Sequence, residues 1–218
     1  MKIGIIGAGN IGGTLTRRLS ALGHQVSVAN SRGPETLADL AAETGATATT
    51  PEDAANGAEL VIVTIPEKNV PELPAGLLDR TASGAPIVDT GNYYPERDGR
   101  IDAIEEGLPE SRWVEQQLGR SVIKAFNNIQ AQHLLELGRP AGADGRVALP
   151  VAGDDADAKQ TVMQLVDELG FDAVDAGGLD ESWRQQPGTP GYIADLEADA
   201  LRQAIADANP ERTSDFRA

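Results

Sequence analysis

MKIGIIGAGNIGGTLTRRLSALGH, residues Met1 to His24, changes its periodicity once, and that change decides the fold. Lys2 to Ile6 is a short apolar run with β-branched residues at Ile3, Ile5 and Ile6, the pattern of a buried parallel strand. It stops at Gly7-Ala8-Gly9-Asn10-Ile11-Gly12, a G-x-G-x-x-G turn. In such a turn Gly7 permits the tight reversal, Gly9 lets a pyrophosphate approach the backbone, and Gly12 lets the helix lie close on the strand. Beyond it Ile11, Leu15, Leu19 and Leu22 share one helical face while Arg17, Arg18 and Ser20 fall away from it, and Gly23 closes the helix. Strand, glycine turn and amphipathic helix in that order imply a dinucleotide whose diphosphate meets the helix N-terminus.

The remainder of the 218 residues extends this unit. Further strands are expected over His24 to Ala29, Leu60 to Ile65, Pro86 to Thr90, Ser121 to Phe126, Arg146 to Ala152 and Phe171 to Asp175. Thr50-Pro51-Glu52-Asp53 has the form of a capping box with a first-turn proline. Pro71 and Pro74 rule out a long crossover helix. Gly153-Asp154-Asp155 caps a helix with an apolar face of Val162, Leu165, Val166 and Leu169. The expected fold class is α/β, a Rossmann-type doubly wound, mainly parallel sheet of about eight strands with a short C-terminal helical extension. Residues 1–176 form the nucleotide-binding domain, and 177–218 an extension too small for its own core. That extension should carry a helix from about Tyr192 to Ala208, pack over the sheet's active edge or a second subunit, and fray over Asn209 to Ala218.

The end of the second strand sets the choice of nucleotide. A site for NAD usually carries Asp or Glu there, on the ribose hydroxyls. This chain has Asn30-Ser31-Arg32, which lacks the carboxylate that would repel a 2′-phosphate and offers a hydroxyl and a guanidinium that can bind one. The reading is therefore NADP(H). Thr64, Ile65 and Pro66, at the carboxyl end of a strand beside the first, should line the same crevice. Asn92, after the Pro86 to Thr90 strand, and Asn127, after the Ser121 to Phe126 strand, occupy equivalent strand ends.

Composition excludes several chemistries. There is no cysteine and there are only two histidines, so no metal site and no thiol nucleophile is expected. A net charge of −16 argues against nucleic acid as a partner. No apolar run is long enough to span a bilayer, so a cytoplasmic protein without membrane contact is expected, with a homodimer as the default assembly. Lys124, inside a strand pattern, more often pairs with a carboxylate than acts as a catalyst. Arg97 and Arg100 read as a solvated loop. His133, Tyr93 and Tyr94 are the candidates for a chemical role, none of them obligatory.

GIIGAGNIGGTL, NSR, VIVTIP, VIKAFNNIQA and LPVAGDDADAK followed by DELGFDAVDAGGL together resemble the F420-dependent NADP oxidoreductases. They are also similar to the reductase domain of the six-transmembrane metalloreductases. The resemblance spans roughly residues 1 to 180. It implies that Ala8, Gly9, Asn10 and Ile11 hold the diphosphate and that Ser31 and Arg32 hold the 2′-phosphate. It further implies that Ile65 and Pro66 line the path to the nicotinamide, and that Ala131 meets the carboxamide. The second substrate it implies is the deazaflavin coenzyme F420, or a flavin, as the small-molecule redox partner. Direct hydride transfer between stacked rings then needs positioning more than an acid or base. The aromatic loop Gly91 to Arg100 and the stretch Glu181 to Tyr192 differ from that family, and both lie toward the second substrate. Two alternatives follow: a reductase of a flavin or small organic acceptor, and a non-catalytic NADP-binding sensor.

Overall fold

A computed structural model describes all residues, 1–218. Its strands are β1 (Lys2–Ile6), β2 (Gln25–Ala29), β3 (Thr47–Ala48), β4 (Leu60–Val63), β5 (Ile87–Asp89), β6 (Ile123–Lys124), β7 (Ala148–Val151) and β8 (Asp172–Asp175). Its α-helices are α1 (Asn10–Ala21), α2 (Ala38–Thr44), α3 (Pro51–Ala55), α4 (Pro95–Asp98), α5 (Asp102–Glu105), α6 (Glu110–Leu118), α7 (Ala131–Glu136), α8 (Ala156–Glu168) and α9 (Ala198–Ala206). Six strands pair in parallel in the order β3-β2-β1-β4-β5-β6. That order reverses between β1 and β4, which opens a crevice at their carboxyl ends.

Helices cover both faces, so the sheet separates two apolar layers. On one side Leu15 and Leu19 of α1, Leu134 of α7 and Val162, Leu165 and Val166 of α8 pack on Ile3, Ile5, Val28 and Ile62. On the other, Ala55 of α3 and Trp113 and Val114 of α6 pack on Ile6, Val61, Val63 and Ile87. The alternation follows from the strand period of two: Ile5 and Ile6 must face opposite layers. Thr50 caps α3 by accepting from the Asp53 amide at 3.3 Å, and Asp155 caps α8 through the Asp157 and Ala158 amides. Between β4 and β5 the chain forms only two 3₁₀ turns, Glu67–Glu72 and Leu77–Arg80, as the prolines require.

Two expectations are corrected. The eight strands do not make one sheet: β7 and β8 form a separate parallel pair, joined to β6 through a single antiparallel bridge between Lys124 and Ala152. Extending that ladder would put Phe126 opposite Pro150, which has no N–H to donate, and Phe126 instead turns to φ 62°. The C-terminal segment is also different. Its helix covers only Ala198–Ala206, because Ile193 and Asp195, inside the expected span, adopt left-handed φ of 47° and 48°. The last ten residues are anchored, not frayed. Arg212 donates to the buried Glu110 carboxylate at 2.8 and 2.5 Å, and the Ala218 amide donates to Glu105.

Candidate functional site

A cleft of about 1190 Å³ runs along the carboxyl ends of the strands, from Arg32 and Thr36 at one end to Tyr94, Arg97 and Tyr192 at the other. It exceeds the roughly 300–1,000 Å³ of a usual small-ligand pocket, enough for a dinucleotide with a second molecule beside it. Ala8, Gly9, Asn10, Ile11, Arg32, Thr64, Ile65, Pro66, Asn92, Asn127 and Ala131 all line it.

The glycine turn shows which of its residues serve the protein and which leave room for something else. A Cβ on Gly12 would collide with the Gly7 carbonyl and approach Thr64 Cγ2 at 2.7 Å, and Gly7 itself sits at φ 107°. Those two are needed for helix α1 to lie on β1 and β4. Gly9 is different: its φ is −73° with extended ψ, and a Cβ there would meet nothing within 4 Å. The fold does not need glycine at that position, whereas a ligand lying against the backbone would. The α1 N-terminus above it has no side-chain cap and no acidic residue in its first turn. Its free N–H groups and positive dipole end therefore face open space, the arrangement that receives a diphosphate.

At the other side of this turn Asn30 shapes the loop instead of reaching the cleft. Its amide carbonyl accepts from the Arg32 N–H at 2.9 Å and its amide nitrogen donates to Thr36 Oγ1 at 2.9 Å. Ser31 is exposed and does not line the cleft. Arg17, which the helical period placed off the apolar face of α1, lines the cleft but is taken up by a two-bond pair with Glu43, at 2.7 and 2.8 Å. Arg32 has no ion pair in the protein. It is thus the uncommitted cation at this end, and Arg32→Ala should weaken NADPH binding by about 1–3 kcal/mol while leaving NADH unchanged. Parallel titrations of the two nucleotides check this; equal losses would contradict it.

Beneath the other end lies a buried charged cluster. Lys124, fully buried, donates to Asp89 at 3.0 Å and to the Gly91 carbonyl at 2.6 Å, while the Gly91 amide donates to Asp89 at 2.8 Å and Ser111 donates to Asp89 at 2.6 Å. The pair therefore holds the Gly91 peptide, and with it Asn92, at the edge of the cleft. Burial opposes the Lys124 charge, but Asp89, Glu110 and Glu67 outweigh it and raise its pKa. Glu67 is also fully buried, and neither of its carboxyl oxygens has a hydrogen-bond partner. Burial first, then the Asp89 charge, pushes its carboxyl well above the usual range.

A carboxyl with a higher pKa folded than unfolded contributes its full stability below about pH 4.3 and loses it as pH rises toward the folded value. Glu67→Gln removes that slope. The variant should gain stability over the wild type as pH increases, seen as a flatter dependence of urea unfolding on pH. A slope identical to the wild type would contradict the assignment.

Asn127 links the strand ends to the C-terminal extension. Its amide donates to Asn92 Oδ1 at 3.0 Å and to the Gln185 carbonyl at 2.7 Å, and Gln185 Nε2 returns a bond to its Oδ1 at 2.9 Å. Beyond Gln185, Tyr192 and Ile193 reach over the cleft. The Ile193 amide donates to the Asn128 carbonyl at 2.9 Å, and Ile193 and Asp195 adopt φ of 47° and 48°. Such conformations cost about 1–3 kcal/mol each and persist only where the surroundings impose them.

Of the three chemical candidates only Tyr94 faces the cleft. Tyr93 is fully buried, donating to the Gly99 carbonyl at 3.0 Å and accepting from the Ile101 amide at 3.2 Å, with Arg212 5.0 Å above its ring. Its neighbour Tyr94 points the opposite way, into the cleft, as strand-like alternation requires. His133 lies 2.5 Å from Asp195 and is not part of the cleft wall. Arg97 is not a bystander in a solvated loop: it lines the cleft, stacks 4.9 Å over Tyr94 and bonds the Asn92 carbonyl at 2.5 Å. Among the described residues no cluster of His, Asp and Glu could hold a metal ion, and no helix is long and apolar enough to cross a membrane.

Comparison with known proteins agrees with the motifs. Residues 2–93 match the family described as NADP oxidoreductase, coenzyme F420-dependent. The F420-dependent NADP reductase of Methanothermobacter thermautotrophicus is 29% identical over 199 residues, covering 84% of this chain and 83% of that protein. The metalloreductase STEAP3 of Rattus norvegicus is 30% identical over 183 residues, 82% of this chain and 34% of that protein. Among solved structures, the hypothetical protein SMa0349 of Sinorhizobium meliloti superposes with a TM-score of 0.76 at 29% identity, covering 90% of this chain and 95% of that one. Of the first curated relatives, the chain spans about half the length of one (48%) and a third of another (34%). The chain is thus similar, over residues 2–93, to the F420-dependent NADP oxidoreductases.

Proposed function

We propose that this protein transfers hydride between NADP(H), bound along the strand ends, and the deazaflavin coenzyme F420. The observation that carries the reading is the open step at Gly9 below the uncapped end of α1, at the middle of a cleft with a free arginine at one end and an aromatic wall at the other. The amides of Ala8 to Ile11 would hold the diphosphate, and Arg32 the 2′-phosphate with Thr36 beside it. Ile65 and Pro66 would support the path to the nicotinamide, and Asn92, Asn127 and Ala131 would fix its carboxamide end. Bound there, the nicotinamide supplies hydride chemistry. The chain's own contribution is to place two rings in contact and exclude water, with the buried Lys124–Asp89 pair keeping the Gly91–Asn92 edge in position.

The experiment is to mix the purified chain with NADPH and F420 and follow the deazaflavin absorbance. Bleaching at a rate proportional to enzyme supports the reading, and an unchanged spectrum with NADPH bound contradicts it. A second reading, reduction of a flavin or small organic acceptor, is favoured by the pair Tyr94 and Tyr192 at the acceptor end, and the same assay with FMN or FAD tests it. We place the protein in the cytoplasm as a homodimer, on the ground that twofold closure is the commonest assembly, with sedimentation of the purified chain as the check.

A further inference from the structure

We propose that Tyr192, paired with Tyr94, is the proton donor for the acceptor in this reduction. The inference rests on the reading above and assigns a residue to it from the C-terminal extension. Both phenols line the acceptor end of the cleft, and their hydroxyls are hydrogen-bonded to each other. Two hydroxyls carry two protons, and one shared bond uses only one of them. Neither oxygen has any other hydrogen bond in the protein, so the second proton is free to be donated into the cleft.

No uncommitted acid stands at this end: the Asp98 carboxylate accepts from Arg97 at 2.9 and 2.8 Å and from the Tyr94 amide at 3.0 Å. Tyr93 is committed to backbone groups in the core, and His133 faces Asp195. The carboxylates that line the cleft, Asp39 and Glu43, belong to its opposite end. The Thr90 hydroxyl is turned to the Val63 carbonyl at 3.3 Å.

The backbone holds Tyr192 in place at a cost. The next residue is a β-branched isoleucine in the left-handed region, pinned by the Asn128 carbonyl, and Asp195 repeats that conformation two residues on. Arg97, paired with Asp98 and stacked on the Tyr94 ring at 4.9 Å, keeps a guanidinium beside the phenolate that donation leaves behind. Burial, and then contact with Tyr94, raises the Tyr192 pKa, with Glu110 adding to the rise and Arg97 opposing it. The phenol is thus kept protonated through neutral pH.

Hydride transfer breaks a C–H bond of the dihydronicotinamide, leaving it oxidised, and forms a C–H bond on a deazaflavin or an N–H bond on a flavin as one π bond of the acceptor breaks. The displaced electron pair moves to a ring nitrogen or carbonyl oxygen, which takes the phenolic proton. Water then restores the proton to the tyrosine pair. The substrate class is accordingly a conjugated acceptor whose reduction leaves charge on a heteroatom.

The test compares the wild-type full chain with Tyr192→Phe and Tyr94→Phe, using NADPH with F420 and, separately, with FMN. Tyr192→Phe should lower kcat by about 10²-fold, the usual contribution of a general acid. Binding of the oxidised acceptor to the NADP⁺ complex, measured by calorimetry, should stay the same, as should the thermal midpoint. In Tyr94→Phe the remaining Tyr192 hydroxyl still faces the cleft, so a smaller loss is expected. A Tyr192→Phe variant with unchanged kcat overturns the proposal while leaving the oxidoreductase reading intact. A variant whose acceptor binding falls as far as its kcat also overturns it, because the ring would then act by shape alone. A wild type that reduces neither acceptor removes the reading and the proton donor together.

Discussion

Lys124→Met is expected to lower folding stability by about 3–5 kcal/mol, the usual cost of removing one partner from a buried ion pair. The site explains why the upper part of that range applies. Asp89 would keep only the Ser111 hydroxyl and the Gly91 amide, in a region that also contains the buried carboxyls of Glu67 and Glu110. Methionine fills the volume but supplies no positive charge to Asp89, while Arg212 stays committed to Glu110. Urea unfolding should show a lower midpoint with an unchanged slope. Adding Asp89→Asn should restore part of the loss, since the two changes act on one contact and are not additive. A single variant as stable as the wild type would mean that the cluster is solvated or neutral, contrary to the geometry described. Because the ammonium also bonds the Gly91 carbonyl, the same variant should loosen the Asn92 edge of the cleft.

Gly9→Val should have the opposite profile. The position has ordinary backbone angles and nothing within 4 Å of an added Cβ, so the folded state should accept valine with little change in thermal midpoint. The branched side chain would instead project into the space assigned to the diphosphate, and NADPH binding should fall by at least about 100-fold, roughly 3 kcal/mol. Gly12→Ala is the useful contrast. There the collision is with the Gly7 carbonyl and Thr64, so folding itself should suffer. If Gly9→Val binds NADPH normally, the dinucleotide does not lie across this turn.

These two sites also show what a sequence can and cannot disclose. The β1 turn and α1 are legible because their logic is local: a period of two, a glycine turn and a period of 3.6 within 24 residues. The nucleotide-end turn at Asn30 to Arg32 is legible for the same reason, although it hides that Asn30 and Thr36 bond each other. The acceptor end is not local. Tyr192 meets Tyr94 across almost a hundred residues, and nothing in either neighbourhood announces the contact. Tyr93 and Tyr94 are adjacent and chemically equivalent, and only the direction of the backbone decides which one is buried. The role of Arg97 depended on the same turn, since a charged stretch and an ordered cleft wall have the same composition. Lys124 could be read as a residue that pairs with a carboxylate, but not as one that anchors a cleft edge, because Asp89, Gly91, Glu67 and Glu110 come from three separate segments. The extent of the sheet is not legible, because Pro150 opposite Phe126 stops the ladder only in an antiparallel register that the sequence does not show.

The central claim is that the cleft holds a phosphorylated dinucleotide, with its bridge on the Gly9 step and its extra phosphate on Arg32. Calorimetric titration of the wild-type chain with NADPH and with NADH under identical conditions tests it most directly. The account predicts one NADPH per chain, bound more tightly than NADH by about tenfold or more, a difference of at least 1.4 kcal/mol. Equal affinities, or no binding of either nucleotide, would contradict it.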